Sequence, residues 1–298
     1  MATIASAPSA ETLPRRSNAL WQFVKSQPLG ILGFLVILLY VVCALGAAWI
    51  APYHPEEIDF AAMLARPGEA HWFGTDQYGR DVFSRIVYGS RTALAVGLLS
   101  SMIGCTAGAL LGAASGYFGG RIDNAIQRVV DIMLSFPIIV LAMVVVAVLG
   151  KRNYFGIDLN LIAAIALPII PKMARVARSS TLSIVAMPFI DAARAAGFSH
   201  RRIILRHILP NIVAPYLIMV TAFIAQAILL EASLSFLGLG VTEPTPAWGL
   251  MLSGTSADFY QAAPWMILFP GLAITLAVFA FNLFGDSLRD WLDPKLKS

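Results

Sequence analysis

Four charged side chains lie at the ends of long apolar runs, and an ionised group inside such a run is costly and commonly marks a functional site. They are Asp131, Lys172, Glu231 and Asp286, and the interiors of the runs are almost free of charge. The carboxylate of Glu231 could meet a cationic amino group of a bound molecule, or it could pair with a neighbouring residue. Secondary transporters bind their coupling ions on ionisable groups deep in such runs, so the pattern disfavours that class.

A second cluster of charges precedes the second apolar run and contains Asp76, Arg80, Asp81 and Arg85. Arginine and aspartate this close along the chain could form a structural ion pair that holds an elbow of the backbone. The same side chains could instead form part of a docking surface for another protein. The sequence leaves both interpretations open.

Motifs for nucleotide binding, zinc binding and covalent catalysis are missing from the sequence. There is no Gly-x-x-x-x-Gly-Lys-Ser/Thr loop, so the chain lacks the usual backbone cradle for ATP, and there is no His-Glu-x-x-His zinc signature. The histidines all lie between apolar runs, so none is placed to activate a serine for intramembrane proteolysis: His54, His71, His200 and His207. We therefore expect no catalytic residue, no metal site and no cofactor in this chain.

The composition is that of a membrane protein. Of 298 residues, 58% are hydrophobic and 13% are charged, and the mean hydropathy is +0.75. A pI near 9.2 could suggest nucleic-acid binding, but the basic residues alternate with apolar runs instead of forming one stripe. Cys43 and Cys105 lie inside apolar runs without a spacing typical of metal ligands or disulfides, and we interpret them as core residues.

Six apolar runs predict an all-α polytopic membrane protein, because about 20 residues of helix cross a bilayer. The predicted spans are about Leu29–Ile50, Thr92–Ser115, Ile132–Gly150, Leu159–Pro171, Ile212–Leu230 and Pro264–Gly285. The fourth is short, so Lys172 and Arg175 would have to extend to the interface. Residues 1–18 lack apolar periodicity and predict a disordered tail.

The distribution of basic residues predicts the orientation, because cytoplasmic loops carry an excess of Lys and Arg. With the N-terminus inside, inner segments hold fifteen of the 21 Lys and Arg, and outer segments hold six. Both termini are therefore expected in the cytoplasm. Two long loops, about Ala51–Arg91 and Ala232–Ala263, then face outward, and the largest inner loop is about Ala174–Asn211.

The inner loop predicts a short helix followed by a tight turn. Pro188 suits the first turn of a helix, and Asp191 favours its positive N-terminal end. The alanines that follow keep the helix thin enough to enter a groove. Gly197 is placed to end this helix in a left-handed conformation.

A second, basic helix is predicted after the turn. Ser199 is the candidate N-cap, and Pro210 is expected to end the helix. On these features alone, the loop could be a solvated hairpin that only enforces topology, or it could dock onto a partner.

This loop resembles the EAA loop of ABC importer permeases, which has Glu-Ala-Ala, then Gly, then Leu-Pro at fixed spacing. The corresponding residues here are Asp191-Ala192-Ala193, Gly197 and Leu209-Pro210. Asp replaces the usual Glu and keeps its charge. His207 replaces an aliphatic residue, which leaves the local packing of the loop undetermined.

Further motifs in the same order are similar to the C-type permease subunit of dipeptide, oligopeptide and nickel importers. They are Phe73-Gly74-Thr75-Asp76, Gly79-Arg80-Asp81-Val82-Phe83-Ser84-Arg85, Gly116-Tyr117-Phe118-Gly119-Gly120, Glu231 to Gly240, Pro246-Ala247-Trp248-Gly249 and Asp293-Pro294-Lys295. Together they cover most of the chain beyond residue 20.

The resemblance implies a type I ABC permease fold with six transmembrane helices in a bacterial inner membrane. It implies a tail at 1–18, an anchor and periplasmic loop at 19–91, a transmembrane type-1 domain at 92–286 with its EAA loop at about 186–211, and a tail at 287–298. The implied ATPase-coupling residues are Asp191, Ala192, Ala193, Arg194, Gly197 and Pro210. The candidate pathway residues are Glu231 and Ser235, and the candidate docking or elbow residues are Asp76, Arg80, Asp81 and Arg85.

The resemblance also implies partners. They are a homologous B-type permease, two cytoplasmic ATPases that bind ATP and Mg²⁺, a periplasmic substrate-binding protein and membrane lipid, with no nucleic acid. The first helix of the inner loop would be the coupling helix, which sits in a cleft of the ATPase.

Several alternatives stay open. A membrane scaffold that anchors an ATPase without transport could carry the same loop. The uncharged stretch at about 232–256 could re-enter the membrane or form an outer cap. The motifs do not distinguish dipeptides, longer peptides, nickel chelates, opines and glutathione as cargo.

Overall fold

The computed structural model describes residues 27–150, 153–154, 157–254, 259 and 261–292. The predicted tail at 1–18 and the Asp293-Pro294-Lys295 motif lie outside the described residues. So do residues 255–258 in the second outer loop.

The described part of the chain is almost entirely helical. The helices are α1 Pro28–Ile50, α2 Val82–Phe118, α3 Gly120–Leu134, α4 Ile138–Leu149, α5 Leu159–Ala166, α6 Ile169–Val185, α7 Pro188–Ala195, α8 His200–Ile203, α9 Val213–Phe236, α10 Trp248–Met251 and α11 Trp265–Leu292. A 3-10 turn spans Phe60–Ala62, and two-residue strands β1 Asn153–Tyr154 and β2 Ile157–Asp158 pair antiparallel. This small hairpin was not predicted from the sequence.

Within the residues that the structure describes, four helical stretches are long and apolar enough to cross a bilayer by themselves. They are Pro28–Ile50, Val82–Phe118, the continuous stretch His200–Phe236, and Trp265–Leu292. Two bent pairs, α3 with α4 and α5 with α6, raise the number to six if each pair is one span. Helix α2 begins ten residues before the predicted apolar run, because Asp81 caps it at Val82.

The third and fourth runs are bent instead of straight. Helices α3 and α4 meet at 94°, and Pro137 lies at the break, where its ring restricts the preceding residue and removes a backbone donor. Helix α4 alone has 12 residues, about 18 Å. Helices α5 and α6 meet at 43° next to Pro168, and α6 continues to Val185, well past the predicted end at Pro171.

A row of glycines packs α2 closely against α6. Gly104, Gly108, Gly112 and Gly116 recur every four residues. A Cβ added to Gly104 would lie 2.7 Å from the carbonyl oxygen of Ala166 at the end of α5, and a Cβ on the other three would lie 2.6, 2.2 and 3.0 Å from carbonyl oxygens of α6. Small residues at this spacing let two helix backbones approach, which favours association where lipid supplies no hydrophobic driving force. The row therefore fixes the helix that leads into the inner loop against α2.

Two apolar clusters form the core. One lies among α2, α5, α6 and α9 and includes Ile165, Met173 and Ala227, and the other joins α1, α9, α10 and α11 around Tyr40 and Trp248. Helix α9 contributes to both clusters, so it links the inner-loop half of the chain to the α1–α11 half.

Candidate functional sites: the inner loop and the outer charge network

Helix α7 of the inner loop presents one face to the chain and leaves the other uncovered. Ile190 and Ala193 are buried, whereas 41% of Phe189 is exposed. Asp191 and Arg194 form an ion pair at 3.3 Å on the exposed side, with 74% and 43% of their side chains accessible. The predicted helix is therefore confirmed, and its outer face is free for a partner.

The turn after α7 has the geometry predicted for Gly197. Its φ is +75°, its N–H donates to the carbonyl of Arg194 at 3.0 Å, and the N–H of Phe198 donates to the carbonyl of Ala193 at 3.1 Å. This pair of bonds is a Schellman motif, which requires a left-handed residue at this position. Ser199 caps the next helix by accepting from the N–H of Arg202 at 3.4 Å, as predicted.

Pro210 does not end the basic helix, so that prediction is wrong. Helix α8 continues through a π-helical turn at Ile204–Ile208 and a 3-10 turn at Leu209–Ile212 directly into α9. Pro210 falls in the first positions of the 3-10 turn, where its missing N–H removes no helical bond. The loop and α9 thus form one continuous helical element.

His207 packs between aromatic rings, which answers the question raised by its unusual position. Its ring centroid lies 6.0 Å from that of Phe198 in a stacked arrangement and 6.3 Å from that of Phe189. Nε2 of His207 is buried and has no hydrogen-bond partner in the described part of the chain. The histidine fills the hairpin core that an aliphatic residue would otherwise fill.

Side-chain contacts hold the hairpin at the C-terminal end of α2. The hydroxyl of Tyr117 and Nδ1 of His200 are 2.8 Å apart, and the guanidinium of Arg194 lies 5.6 Å from the Tyr117 ring centroid. Tyr117 belongs to the Gly-Tyr-Phe-Gly-Gly motif, so this motif positions the inner loop.

The outer charge cluster is brought together by the exposed carboxylate of Glu243, which binds the two buried arginines Arg80 and Arg85. Nε of Arg80 donates to Asp76 at 2.6 Å, and its Nη1 and Nη2 donate to both oxygens of Glu243 at 2.6 and 3.3 Å. Nη2 of Arg85 donates to Glu243 at 3.5 Å, and its Nη1 donates to the carbonyl of Pro55 at 3.0 Å. The network joins the loop before α2 to the loop after α9.

Asp81 has a different task within the same cluster. Its carboxylate accepts from the N–H and the hydroxyl of Ser84, both at 2.7 Å, and Nδ1 of His71 lies 2.9 Å from its other oxygen. It is therefore the N-cap of α2.

The pKa of Arg80 is raised by its partners. Burial alone would disfavour the charge of Arg80, but hydrogen bonds and charge attraction from Glu243 and Asp76 outweigh this effect and raise the pKa.

Glu231 and Ser235 lie together, enclosed by their own chain. They are 1% and 0% exposed, and the Ser235 hydroxyl donates to Oε1 of Glu231 at 2.7 Å. The same hydroxyl accepts from the N–H of Val241 at 3.1 Å, and a Cβ on Gly240 would lie 2.2 Å from it. The pair therefore fastens the turn that follows α9.

The stretch after this turn folds back against α2 and α9. Nε1 of Trp248 donates to the carbonyl of Ile86 at 2.9 Å, and the Thr92 hydroxyl donates to the carbonyl of Pro246 at 3.1 Å. A Cβ on Gly249 would lie 2.1 Å from the carbonyl oxygen of Ala232. The Pro-Ala-Trp-Gly motif is thus a close-packed contact among helices.

Comparison with known proteins identifies the family. Residues 108–298 match the family described as "Binding-protein-dependent transport system inner membrane component", and residues 17–67 match the "N-terminal TM domain of oligopeptide transport permease C". This chain belongs to that family of importer permeases.

Individual relatives support the same family assignment. The permease is 44% identical to the dipeptide transport system permease protein DppC of Alkalihalophilus pseudofirmus, over 92% of this chain and 88% of that protein. It is 45% identical to the glutathione transport system permease protein GsiD of Escherichia coli, over 93% of this chain and 90% of that protein. The resemblance to C-type subunits of the dipeptide and oligopeptide ABC importers is confirmed.

A solved structure supports the fold. A chain of the MetNI methionine ABC transporter in an inward-facing conformation superposes with a TM-score of 0.52 and 19% identity, covering 71% of the permease and 98% of that chain. The permease therefore has the type I ABC permease fold and belongs to a family of transport proteins, not of enzymes.

The sequence did not predict the ion pairs between residues that are far apart along the chain. Glu243 completes the outer network from 163 residues away from Arg80, and Asp123 binds Arg178 from 55 residues away. The spacing of four among the α2 glycines was a readable signal for close helix packing. No local pattern indicates which carboxylate meets which arginine.

Proposed function

We propose that this permease imports a peptide, or a related small solute such as glutathione, across a bacterial inner membrane. The names of the dipeptide and glutathione relatives support the cargo class. The missing ATP cradle in the sequence supports an energy source in separate subunits.

Four partners complete the proposed transporter. A homologous B-type permease would share the pathway, two cytoplasmic ATPases would bind ATP and Mg²⁺, and a periplasmic binding protein would deliver the cargo. The observation that carries this proposal is the exposed face of α7, which bears Asp191 and Arg194. The Schellman turn and the contact of Arg194 with the Tyr117 ring hold this helix in place. A rigid protrusion of this kind can pass the movement of an ATPase into α6 and α9.

The proposed orientation has six spans with both termini in the cytoplasm. It rests on the excess of Lys and Arg in the inner segments and brings α7 to the cytoplasmic side. Single cysteines at Ser199 and Ser253 should then react with impermeant reagents from opposite sides of the membrane. Reaction of both from the periplasm would contradict this topology.

Reconstitution tests the function directly. The complete complex in proteoliposomes should accumulate a labelled dipeptide or glutathione only when the binding protein is present and ATP is supplied to the ATPases. The matched control is a complex whose ATPases cannot hydrolyse ATP. Assembly with ATP hydrolysis but no uptake of any cargo tried would favour the scaffold alternative.

A further inference from the structure

Helix α3 has three distinct faces. Asp123 and Val130 are buried against the chain, whereas Ile122, Val129 and Ile132 are 50, 58 and 63% exposed. These three exposed residues recur at spacings of seven and three, so they lie on one side of the helix. A third, polar side carries Asn124, Asp131 and exposed basic residues. Within the described chain, the first face is buried and Asp131 on the polar side pairs with Arg175 of α6, whereas the apolar stripe is left exposed.

The direction of α3 places this apolar stripe parallel to a membrane surface. The helix meets α4 at 94°, so if α4 crosses the bilayer, α3 lies in the plane of the membrane. Its ion pairs with α6 and the bond from Ser115 keep it at the end of the bundle that carries the inner loop. At 15 residues it is about 22 Å long.

Two arginines lie along one border of the apolar stripe. Arg121 and Arg128 are exposed, and within the described residues neither forms an ion pair. Seven residues apart, they lie on the same side of α3, on the border between the apolar stripe and the polar side. Apolar residues on one face with arginines along the polar border are the pattern of a helix that lies in a lipid interface.

We propose that α3 lies on the inner leaflet of the bilayer, with Ile122, Val129 and Ile132 among the acyl chains and Arg121 and Arg128 on the phosphates of anionic phospholipids. The proposal rests on the proposed function only for the side of the membrane. The flanking cations favour an anionic lipid surface over a second permease subunit, since a protein contact would have to supply carboxylates to both arginines.

A fluorescent probe tests the position of the stripe. In the complete complex carrying Cys43→Ala and Cys105→Ala, the environment-sensitive fluorophore NBD is attached at Val129→Cys, at Ile132→Cys, or at the matched control Asn124→Cys on the polar side. The vesicles contain phosphatidylcholine and phosphatidylglycerol, with some lipid carrying a spin label. Probes at Val129 and Ile132 should be quenched more by a label near the headgroup than by one deep in the chain, because such helices lie about 5–10 Å deep.

The two arginines are tested by lipid preference. At Val129→Cys, spin-labelled phosphatidylglycerol should quench several-fold more strongly than spin-labelled phosphatidylcholine. The double variant Arg121→Gln/Arg128→Gln should bring this ratio close to one, because each basic residue near an anionic surface contributes roughly a fivefold preference. Arg289→Gln, at the end of α11, is the matched control and should leave the ratio unchanged.

Three outcomes would overturn the proposal. Quenching by aqueous iodide at Val129 and Ile132 would show that water covers the stripe, and cross-linking of these positions to the second permease would show that protein covers it. An unchanged ratio in the double variant would remove the role of the arginines. Loss of uptake with lipid quenching intact would count only against the proposed function.

Discussion

Arg178 on α6 grips Asp123 on α3 with two parallel hydrogen bonds, from Nε at 2.7 Å and from Nη2 at 2.5 Å. The Ser115 hydroxyl at the end of α2 donates to the same carboxylate at 2.5 Å, and Gln127 donates to Ser115 at 2.9 Å. Three helices therefore meet at one carboxylate. Because α6 leads into α7, this contact connects the inner loop to α3.

Breaking this contact should weaken the assembled permease. Asp123→Asn keeps the shape but leaves Arg178 without its ion pair, and Asp123 is only 9% exposed. We expect a loss of about 1–3 kcal/mol in the free energy of unfolding, measured by thermal unfolding of the purified complex. The reversed pair Asp123→Arg/Arg178→Asp should recover part of it.

The neighbouring pair supplies the matched control. Asp131 and Arg175 also join α3 to α6, but 58% and 55% of their side chains are exposed. Asp131→Asn should cost about 0–1 kcal/mol, because water screens an exposed ion pair. Equal losses in the Asp123 and Asp131 variants would show that the bidentate contact contributes no more to the free energy of unfolding than the exposed ion pair does.

The glycine row predicts a second stability effect. In Gly112→Ala the new methyl would lie 2.2 Å from the carbonyl oxygen of Ala174, so α2 and α6 must separate. The amount of assembled complex and its melting temperature should both fall. Gly271→Ala, in helix α11 with nothing within 4 Å of the added carbon, is the control and should change neither. A normal melting temperature for Gly112→Ala would mean that this packing is loose.

Local signals predicted the inner loop well, while tertiary contacts decided the rest. Gly197 and Ser199 act through backbone bonds to residues no more than five positions away, so their types and spacing were sufficient. The helix end predicted at Pro210 was wrong because the proline lies in the first positions of a 3-10 turn, where its missing N–H removes no helical bond, and the buried Ile208 directly before it belongs to the core. The Arg80–Glu243 contact joins residues 163 positions apart, beyond any local rule.

Gly197 predicts a separation between assembly and coupling. With φ at +75° and open space around it, Gly197→Val is strained by its backbone and not by a clash, at a cost of about 1 kcal/mol or more. The variant should insert and assemble but lose ATP-driven uptake. Gly197→Asn, which tolerates the left-handed region, should keep most uptake. Full uptake by the valine variant would argue that residues 188–198 do not couple.

Glu243 should hold the two outer loops together. Glu243→Gln removes the carboxylate shared by Arg80 and Arg85, which are 5% and 1% exposed, so two buried cations lose a counter-charge. We expect the melting temperature of the complex to fall and proteolysis of the 51–81 loop to accelerate. Glu57→Gln, an exposed change in the same loop, is the control. Equal rates of proteolysis in the two variants would show that Glu243 does not hold the two loops together.

Glu231 has two possible roles, as a counter-charge for cargo or as part of the fastening of the turn after α9. Its 1% exposure and its bond from Ser235 favour the fastening role. Glu231→Gln removes the charge while keeping the shape and the acceptor for Ser235. We therefore expect uptake of a free dipeptide and of its N-acetylated form to change by the same factor, in a complex whose binding protein accepts both.

The second half of that experiment changes Ser235. Ser235→Ala removes both the donor to Glu231 and the acceptor of the Val241 N–H, so the turn should loosen and the melting temperature should fall. Ser233→Ala, whose hydroxyl donates to the carbonyl of Leu229 in its own helix, is the control. A selective loss of free-peptide uptake in Glu231→Gln, with assembly unchanged, would instead place Glu231 on the translocation pathway. Only the free amino group is cationic and can pair with the carboxylate that this variant removes.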